Sequence, residues 1–198
     1  KKISFISLGC CKNKVNTEQM AYLVKEAGYE IVSEDIEADA VVVNTCAFIE
    51  SAKKESIDTI LDVAWLKENR NLSAIVVAGC MAERYKDEIK EALPEVDAVI
   101  GTGSYDQIVA ALDAVFQGKS YTSFNDKNAA AQGGKRILSA PHYSAYLRIS
   151  EGCNNCCTYC AIPKIRGKFR SRPMEELVEE AKWLEKCGVK ELNIIAQD

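Results

Sequence analysis

Four short runs of β-branched and small apolar residues recur along the first 118 residues: Ile3–Leu8, Ala40–Asn44, Ala74–Ala78 and Ala98–Gly101. Tyr29–Val32 is a weaker fifth run. Between them, apolar residues return at the three-to-four spacing of an amphipathic helix. Met20, Leu23, Val24 and Ala27 mark one such face, and Ile57, Ile60, Leu61 and Ala64 mark another. Gly28 stands where a helix should end, and Pro94 closes a helical stretch expected over Glu83–Leu93. Strands that alternate with helices pair in parallel, with the helices covering the faces. The expected fold is α/β, an N-terminal doubly wound parallel sheet with helices on both faces.

That fold fixes where the strand-end residues go. In an open parallel sheet the carboxyl ends of the strands share one edge, and ligands bind in the crevice there. Cys10, Cys46 and Cys80 each follow one of the runs, in Leu8-Gly9-Cys10, Asn44-Thr45-Cys46 and Ala78-Gly79-Cys80. Glycine lets a backbone approach a bulky inorganic ligand closely. A single such cysteine reads as a small buried hydrophobe. Three at equivalent strand ends point to thiolates converging on one rim, enough for three corners of an iron–sulfur cluster.

A second triplet lies on one short loop, Gly152-Cys153-Asn154-Asn155-Cys156-Cys157-Thr158-Tyr159-Cys160. Cys153, Cys157 and Cys160 form a C-x3-C-x2-C pattern, which can hold three irons of a [4Fe–4S] cubane and leave the fourth open for substrate or cofactor. Two abutting C-x2-C pairs, Cys153/Cys156 and Cys157/Cys160, keep a zinc reading in view, although ribbon-type zinc sites space their pairs by a dozen or more residues. A bacterial ferredoxin run needs a cysteine at position 159, which is Tyr159. Cys156 is then a spare thiol.

The chain has nine cysteines among 198 residues. An odd count in a chain of this size, clustered at strand ends and one loop, argues against a disulfide framework. Metal-bound thiolates in a reducing cytoplasm account for them better. No run of eighteen apolar residues occurs, so no transmembrane helix is expected, and the start reads as a strand rather than a signal peptide.

Residues 119–138 are small and polar and read as a linker. Ser144–Ser150 is the next expected strand, leading into the cysteine loop. A helix is expected from Met174, just after Pro173, to Lys186, ending at Gly188, and a strand over Leu192–Ala196. The plan is therefore 1–118, a linker at 119–138, and 139–198 as one β-loop-α-β unit. Two strands cannot close a barrel, so this last part is expected to be the truncated opening of a larger one. Residues 1–118 are acidic on balance and 119–198 basic, within a net charge of −4. An acidic surface repels phosphate backbones and attracts basic proteins. Lys164, Arg166, Lys168, Arg170 and Arg172 alternate at every second position. On an extended strand all five would face one side, as a solvated edge or in contact with a cofactor, substrate or RNA.

Leu8-Gly9-Cys10, Val43-Asn44-Thr45-Cys46, Ala78-Gly79-Cys80 and the loop triplet together resemble the radical S-adenosylmethionine (SAM) methylthiotransferase family. The run Ala47-Phe48-Ile49 with Ala52-Lys53-Lys54-Glu55-Ser56 is similar to the branch called RimO. So are Arg136-Ile137-Leu138, Pro141-His142-Tyr143 and Ala161-Ile162-Pro163-Lys164-Ile165-Arg166-Gly167. Cys11, Asn16 and Cys156 depart from the family pattern.

The resemblance implies an N-terminal domain with an auxiliary cluster, followed by the first β-α-β portion of a radical SAM (TIM-like) barrel. It also implies two [4Fe–4S] clusters, on Cys10/Cys46/Cys80 and on Cys153/Cys157/Cys160, with SAM on the second and the Tyr159 backbone near its adenine. The implied reaction is radical methylthiolation of the β-carbon of an aspartate in ribosomal protein uS12. An electron donor such as flavodoxin or ferredoxin would be a partner. The alternative is a MiaB-like tRNA adenosine methylthiotransferase, with tRNA as partner. A third reading, from another class, is a binding module that uses its clusters only structurally. His142 and Cys187 read as structural, and no acidic pair suggests acid–base catalysis.

Overall fold

The computed structural model describes residues 1–129, 133–139 and 141–198. Six strands form one parallel sheet: β1 (Lys2–Ser7), β2 (Glu30–Ile31), β3 (Ala40–Thr45), β4 (Ala74–Gly79), β5 (Ala98–Ile100) and β6 (Tyr121–Ser123). Their order is β2-β1-β3-β4-β5-β6. Every residue of β3 and β4 is buried. Strands covered on both faces can be continuously apolar, which is why Val41–Val43 and Ile75–Val77 show no polar alternation.

The period of two sorts these side chains into two cores. Val41, Val43, Ile75, Val77 and Val99 pack with Ile60 and Val63 of α2 (Glu50–Asn69). Ala40, Val42, Val76, Ala98 and Ile100 pack on the other face with Met20 and Val24 of α1 (Cys11–Glu26) and with Ile108 and Leu112 of α5 (Ile108–Phe116). Each fully buried Val, Ile or Leu contributes about 1.5–3 kcal/mol. Gly28 follows α1 with φ 90°, a conformation that favours glycine at a helix end.

Some details depart from the sequence expectation. The helix expected over Glu83–Leu93 is two short helices, α3 (Cys80–Arg84) and α4 (Ile89–Ala92). Residues 119–138, read as a linker, include β6, which joins the sheet edge beside β5. Its three residues are too few and too polar to show a strand period.

The rest of the chain adds β7 (Ser144–Arg148), β8 (Ser150–Glu151), α6 (Ile162–Arg166), β9 (Arg170–Ser171), α7 (Met174–Lys186) and β10 (Glu191–Ile195). β7 and β10 pair in parallel, so β7, α7 and β10 make one β-α-β unit; β8 and β9 pair antiparallel. The five alternating cations do not share an extended edge. Pro163 near the start of α6 presets helical φ, so Lys164 and Arg166 lie on a helix, and Arg166 and Arg172 turn inward and are buried. Cys187 is exposed just past the end of α7 instead of packed, because the helix presents Leu177 and Leu184 to the core and leaves the residue that follows it outside. His142 is exposed as well.

A buried ionic seam joins this part to the sheet. Arg136 pairs with Glu18 of α1 and Glu180 of α7, both at 3.0 Å, and Arg172 pairs with Glu180 at 2.6 Å. Arg148 pairs with Glu151 at 2.9 Å and donates to Asn16. α1 therefore carries two buried faces, Met20 and Val24 toward the sheet and Asn13, Asn16 and Glu18 toward the arginines. Among the described residues, no helix is long and apolar enough to cross a membrane.

Candidate functional site

The strand order reverses between β1 and β3, whose carboxyl ends open the crevice expected at such a switch point. Cys10 and Cys46 follow those two strands, and Cys80 follows β4, so all three lie on one edge of the sheet. Cys46 and Cys80 are buried and Cys10 is exposed. The loops supply the room. Gly9 has φ 81°, and a Cβ there would come within 2.5 Å of Cys46 Cβ and 2.7 Å of its Sγ. Gly79 has φ 96°, and a Cβ there would meet Thr45 O at 2.7 Å.

Polar side chains hold the backbone around the thiols. The Cys46 N–H donates to Ser56 Oγ at 3.0 Å, and that hydroxyl is shared between Cys46 O at 2.8 Å and Ala52 O at 2.9 Å. Asn13 Nδ2 donates to Leu8 O at 2.9 Å and Thr45 O at 2.8 Å, tying the ends of β1 and β3 together. Arg84 Nη1 donates to Ala47 O at 2.6 Å, just past Cys46. Burial pushes the Cys80 thiol up, and so do the sulfurs of Cys46 and Cys10, while Arg166 opposes the shift. Thiolates brought to one edge of a sheet would repel, and a bound metal cation offsets that repulsion.

The second triplet is built differently. Gly152 has φ 76°, and a Cβ there would lie 2.1 Å from Lys168 O, so the loop root presses on the chain that follows α6. Cys153 N–H donates to Gly167 O at 3.2 Å, and Cys160 N–H donates to Cys157 O at 3.0 Å. Cys156 has φ 49°, the one non-glycine residue with positive φ among those described, which turns the chain between Cys153 and Cys157. Cys153 and Cys160 are half-buried, Cys157 is exposed, and Tyr159 is 90% exposed.

All nine cysteines are free thiols. Among the described residues no three His, Cys, Asp or Glu side chains are grouped to hold a single metal ion. The donor sets fit a multi-iron group: soft thiols in threes, with glycines clearing the approach, suit iron–sulfur ligation.

Residues 2–101 match the family described as Uncharacterized protein family UPF0004. The chain belongs to that family. Residues 147–198 match the Radical SAM superfamily, and these contain the whole second triplet. The resemblance to the RimO branch holds along all 198 residues. The chain is 50% identical to proteins named "Ribosomal protein uS12 methylthiotransferase RimO" from Clostridioides difficile and from Lachnoclostridium phytofermentans. It is 46% identical to one of the same name from a Thermoanaerobacter species. Each match covers 100% of this chain and 45% of the relative, so the chain spans about half the length of the curated relatives it matches.

Sequence reasoning did not single out Asn13 or Glu151 as parts of a site and met Ser56 only within a family motif. It met Arg166 only as one of five alternating cations and within a family motif, not as a partner of Cys80. A buried asparagine inside a helix and a serine ten residues past a cysteine carry no spacing signal. Asn13 does stand three residues after Cys10, in the first turn of α1, where a polar side chain can reach strand-end carbonyls.

Proposed function

We propose that this chain is part of a radical SAM methylthiotransferase that acts on an aspartate of ribosomal protein uS12. The observation that carries the reading is the pair of separate three-thiol sets in one chain, one on the sheet rim and one on an exposed loop. A structural metal site needs a closed donor set, whereas two open triplets suit chemistry at both irons. Residues 1–118 are read as the auxiliary-cluster domain and 139–198 as the opening of the radical SAM core.

Cys153, Cys157 and Cys160 would hold the first [4Fe–4S] cluster, with the Tyr159 backbone beside the SAM adenine. Cys10, Cys46 and Cys80 would hold the second. When bound, these clusters and SAM supply homolytic C–S cleavage, hydrogen removal from an unactivated carbon and delivery of a methylthio group. The chain's own residues hold and orient them. Ser56 and Asn13 fix the backbones that carry Cys46 and Cys10. The exposed cysteine loop leaves its outer side open to substrate, and the buried positions of Cys46 and Cys80 keep water from two of the rim thiols. The acidic balance of residues 1–118 suits a basic ribosomal protein better than a phosphate backbone. A cytoplasmic location and a small electron-transfer protein such as flavodoxin or ferredoxin complete the reading.

The test uses the full-length protein, reconstituted anaerobically with iron and sulfide and given reductant and SAM. It is offered unmodified small ribosomal subunits and unmodified tRNA in separate reactions. Added methylthio mass on the uS12 aspartate alone is expected. Modification of tRNA alone would overturn the substrate, and no modification with no SAM cleavage would overturn the chemistry.

A further inference from the structure

Among the buried arginines, Arg166 differs in having a cysteine sulfur within hydrogen-bond reach. It is the last residue of α6 and 3% exposed. Its Nη2 donates to Cys80 Sγ at 3.2 Å and also to Asn13 Oδ1. Its Nη1 lies 3.8 Å from Glu151 Oε2. The Asn13 amide is oriented from its far side, because Nδ2 is already engaged by the carbonyls of Leu8 and Thr45. Its oxygen is therefore the end presented to the guanidinium.

These contacts come from both halves of the molecule. Asn13 and Cys80 belong to the sheet rim, whereas Glu151 precedes Gly152 and Cys153 at the root of the second cysteine loop. Thr102 Oγ1, just beyond β5, donates to Ile165 O at 2.6 Å and holds the end of α6 against the sheet. A rigid planar fork reaches the sulfur and amide oxygen from one nitrogen and faces the carboxylate with another, whereas a lysine has a single nitrogen to place among all three.

We propose that Arg166 is a positioning residue shared by the two cysteine centres, donating an N–H···S hydrogen bond to the Cys80 thiolate while its ion pair with Glu151 sets the second loop against the rim. The proposal rests on the reading of Cys10, Cys46 and Cys80 as cluster ligands. A cationic hydrogen-bond donor at a ligand sulfur stabilises the more negative, reduced cluster and so raises its reduction potential. A residue that served packing alone would leave the potential unchanged once the cluster had assembled.

The experiment takes the full-length protein with Cys153, Cys157 and Cys160 all changed to Ala, so that only the rim centre loads with iron and sulfide. The midpoint potential is read by an anaerobic redox titration followed by electron paramagnetic resonance. Arg166→Met is expected to lower the midpoint relative to the parent, and Arg166→Lys to lower it by less. An unchanged midpoint in Arg166→Met at parental iron content overturns the proposal. If Arg166→Met holds no iron, Arg166→Lys decides, and a midpoint equal to the parent's overturns it. A parent that itself takes up no iron overturns the ligand reading, and this inference with it.

Discussion

The two cysteine triplets present the same three thiols through opposite architectures. Cys10, Cys46 and Cys80 come from strand ends far apart in sequence, and only the parallel order of β1, β3 and β4 brings them to one edge. Cys46 and Cys80 are buried and Cys10 is exposed, with Ser56 and Asn13 fixing the backbone on either side. Cys153, Cys157 and Cys160 lie within one exposed loop whose shape comes from Gly152 at its root and positive φ at Cys156. The rim set depends on the whole sheet, and the loop set depends on a few residues and one neighbouring segment. The first is therefore suited to hold a group in a fixed place, and the second to meet an incoming ligand.

The largest expected effect breaks this division directly. Cys157→Ala should abolish formation of deoxyadenosine from SAM, while Cys46→Ala should leave that cleavage intact and stop methylthio transfer. Chromatography of the small-molecule products reads both, and loss of deoxyadenosine in Cys46→Ala would merge the two roles.

Next come the seams between the regions. Arg136→Met leaves Glu18 and part of Glu180 buried without a cation and should cost about 3–5 kcal/mol in chemical denaturation. A loss below about 1 kcal/mol would mean the seam is solvated. Gly9→Ala and Gly152→Ala both force a side chain into positive φ and into overlap, with backbone strain alone of about 1–3 kcal/mol. Gly9→Ala should lower iron at the rim only, and Gly152→Ala at the loop only. Equal losses at both sites in either variant would deny their independence.

Much of this contrast was legible in the chain itself. β-branched runs alternating with helical periods specify a parallel sheet, and the sheet carries Cys10, Cys46 and Cys80 to one edge without further assumption. The loop triplet was legible from spacing alone. What spacing could not show was the polar interior. Asn13 and Arg166 are 153 residues apart, and no local pattern predicts that pairing. The alternation from Lys164 to Arg172 fitted a single strand, because a period of two over charged residues is also met by a short helix, a connecting segment and a two-residue strand. β6 escaped notice because an edge strand of three residues shows too little period to stand out from a linker.

Smaller effects sharpen the picture. Ser56→Ala removes a buried hydroxyl that serves both the Cys46 N–H and its carbonyl, and should cost about 1–3 kcal/mol. It should also loosen iron at the rim but not at the loop, as read by the rate of iron release to a chelator. The smallest effect lies far from both sites, at Asp39. Its carboxyl is held below the usual range, chiefly by the Lys2 N–H and further by the Lys1 ammonium, against some burial. A depressed folded-state pKa contributes stability above the unfolded value of about 4 and loses it as pH falls through the folded value. Asp39→Asn should therefore be less stable than the parent at neutral pH, with the gap closing in acid. A gap independent of pH would point to lost shape rather than lost charge.

The most direct test of two separate centres is a count of iron and acid-labile sulfide in three forms of the full-length protein, each reconstituted anaerobically. These are the parent, a variant with Cys10, Cys46 and Cys80 changed to Ala, and a variant with Cys153, Cys157 and Cys160 changed to Ala. Two [4Fe–4S] clusters predict about eight irons in the parent and half of the parental content in each variant, with deoxyadenosine formed only where the loop cysteines remain. Loss of all iron in one variant and none in the other would contradict the account, leaving a single centre in place of two.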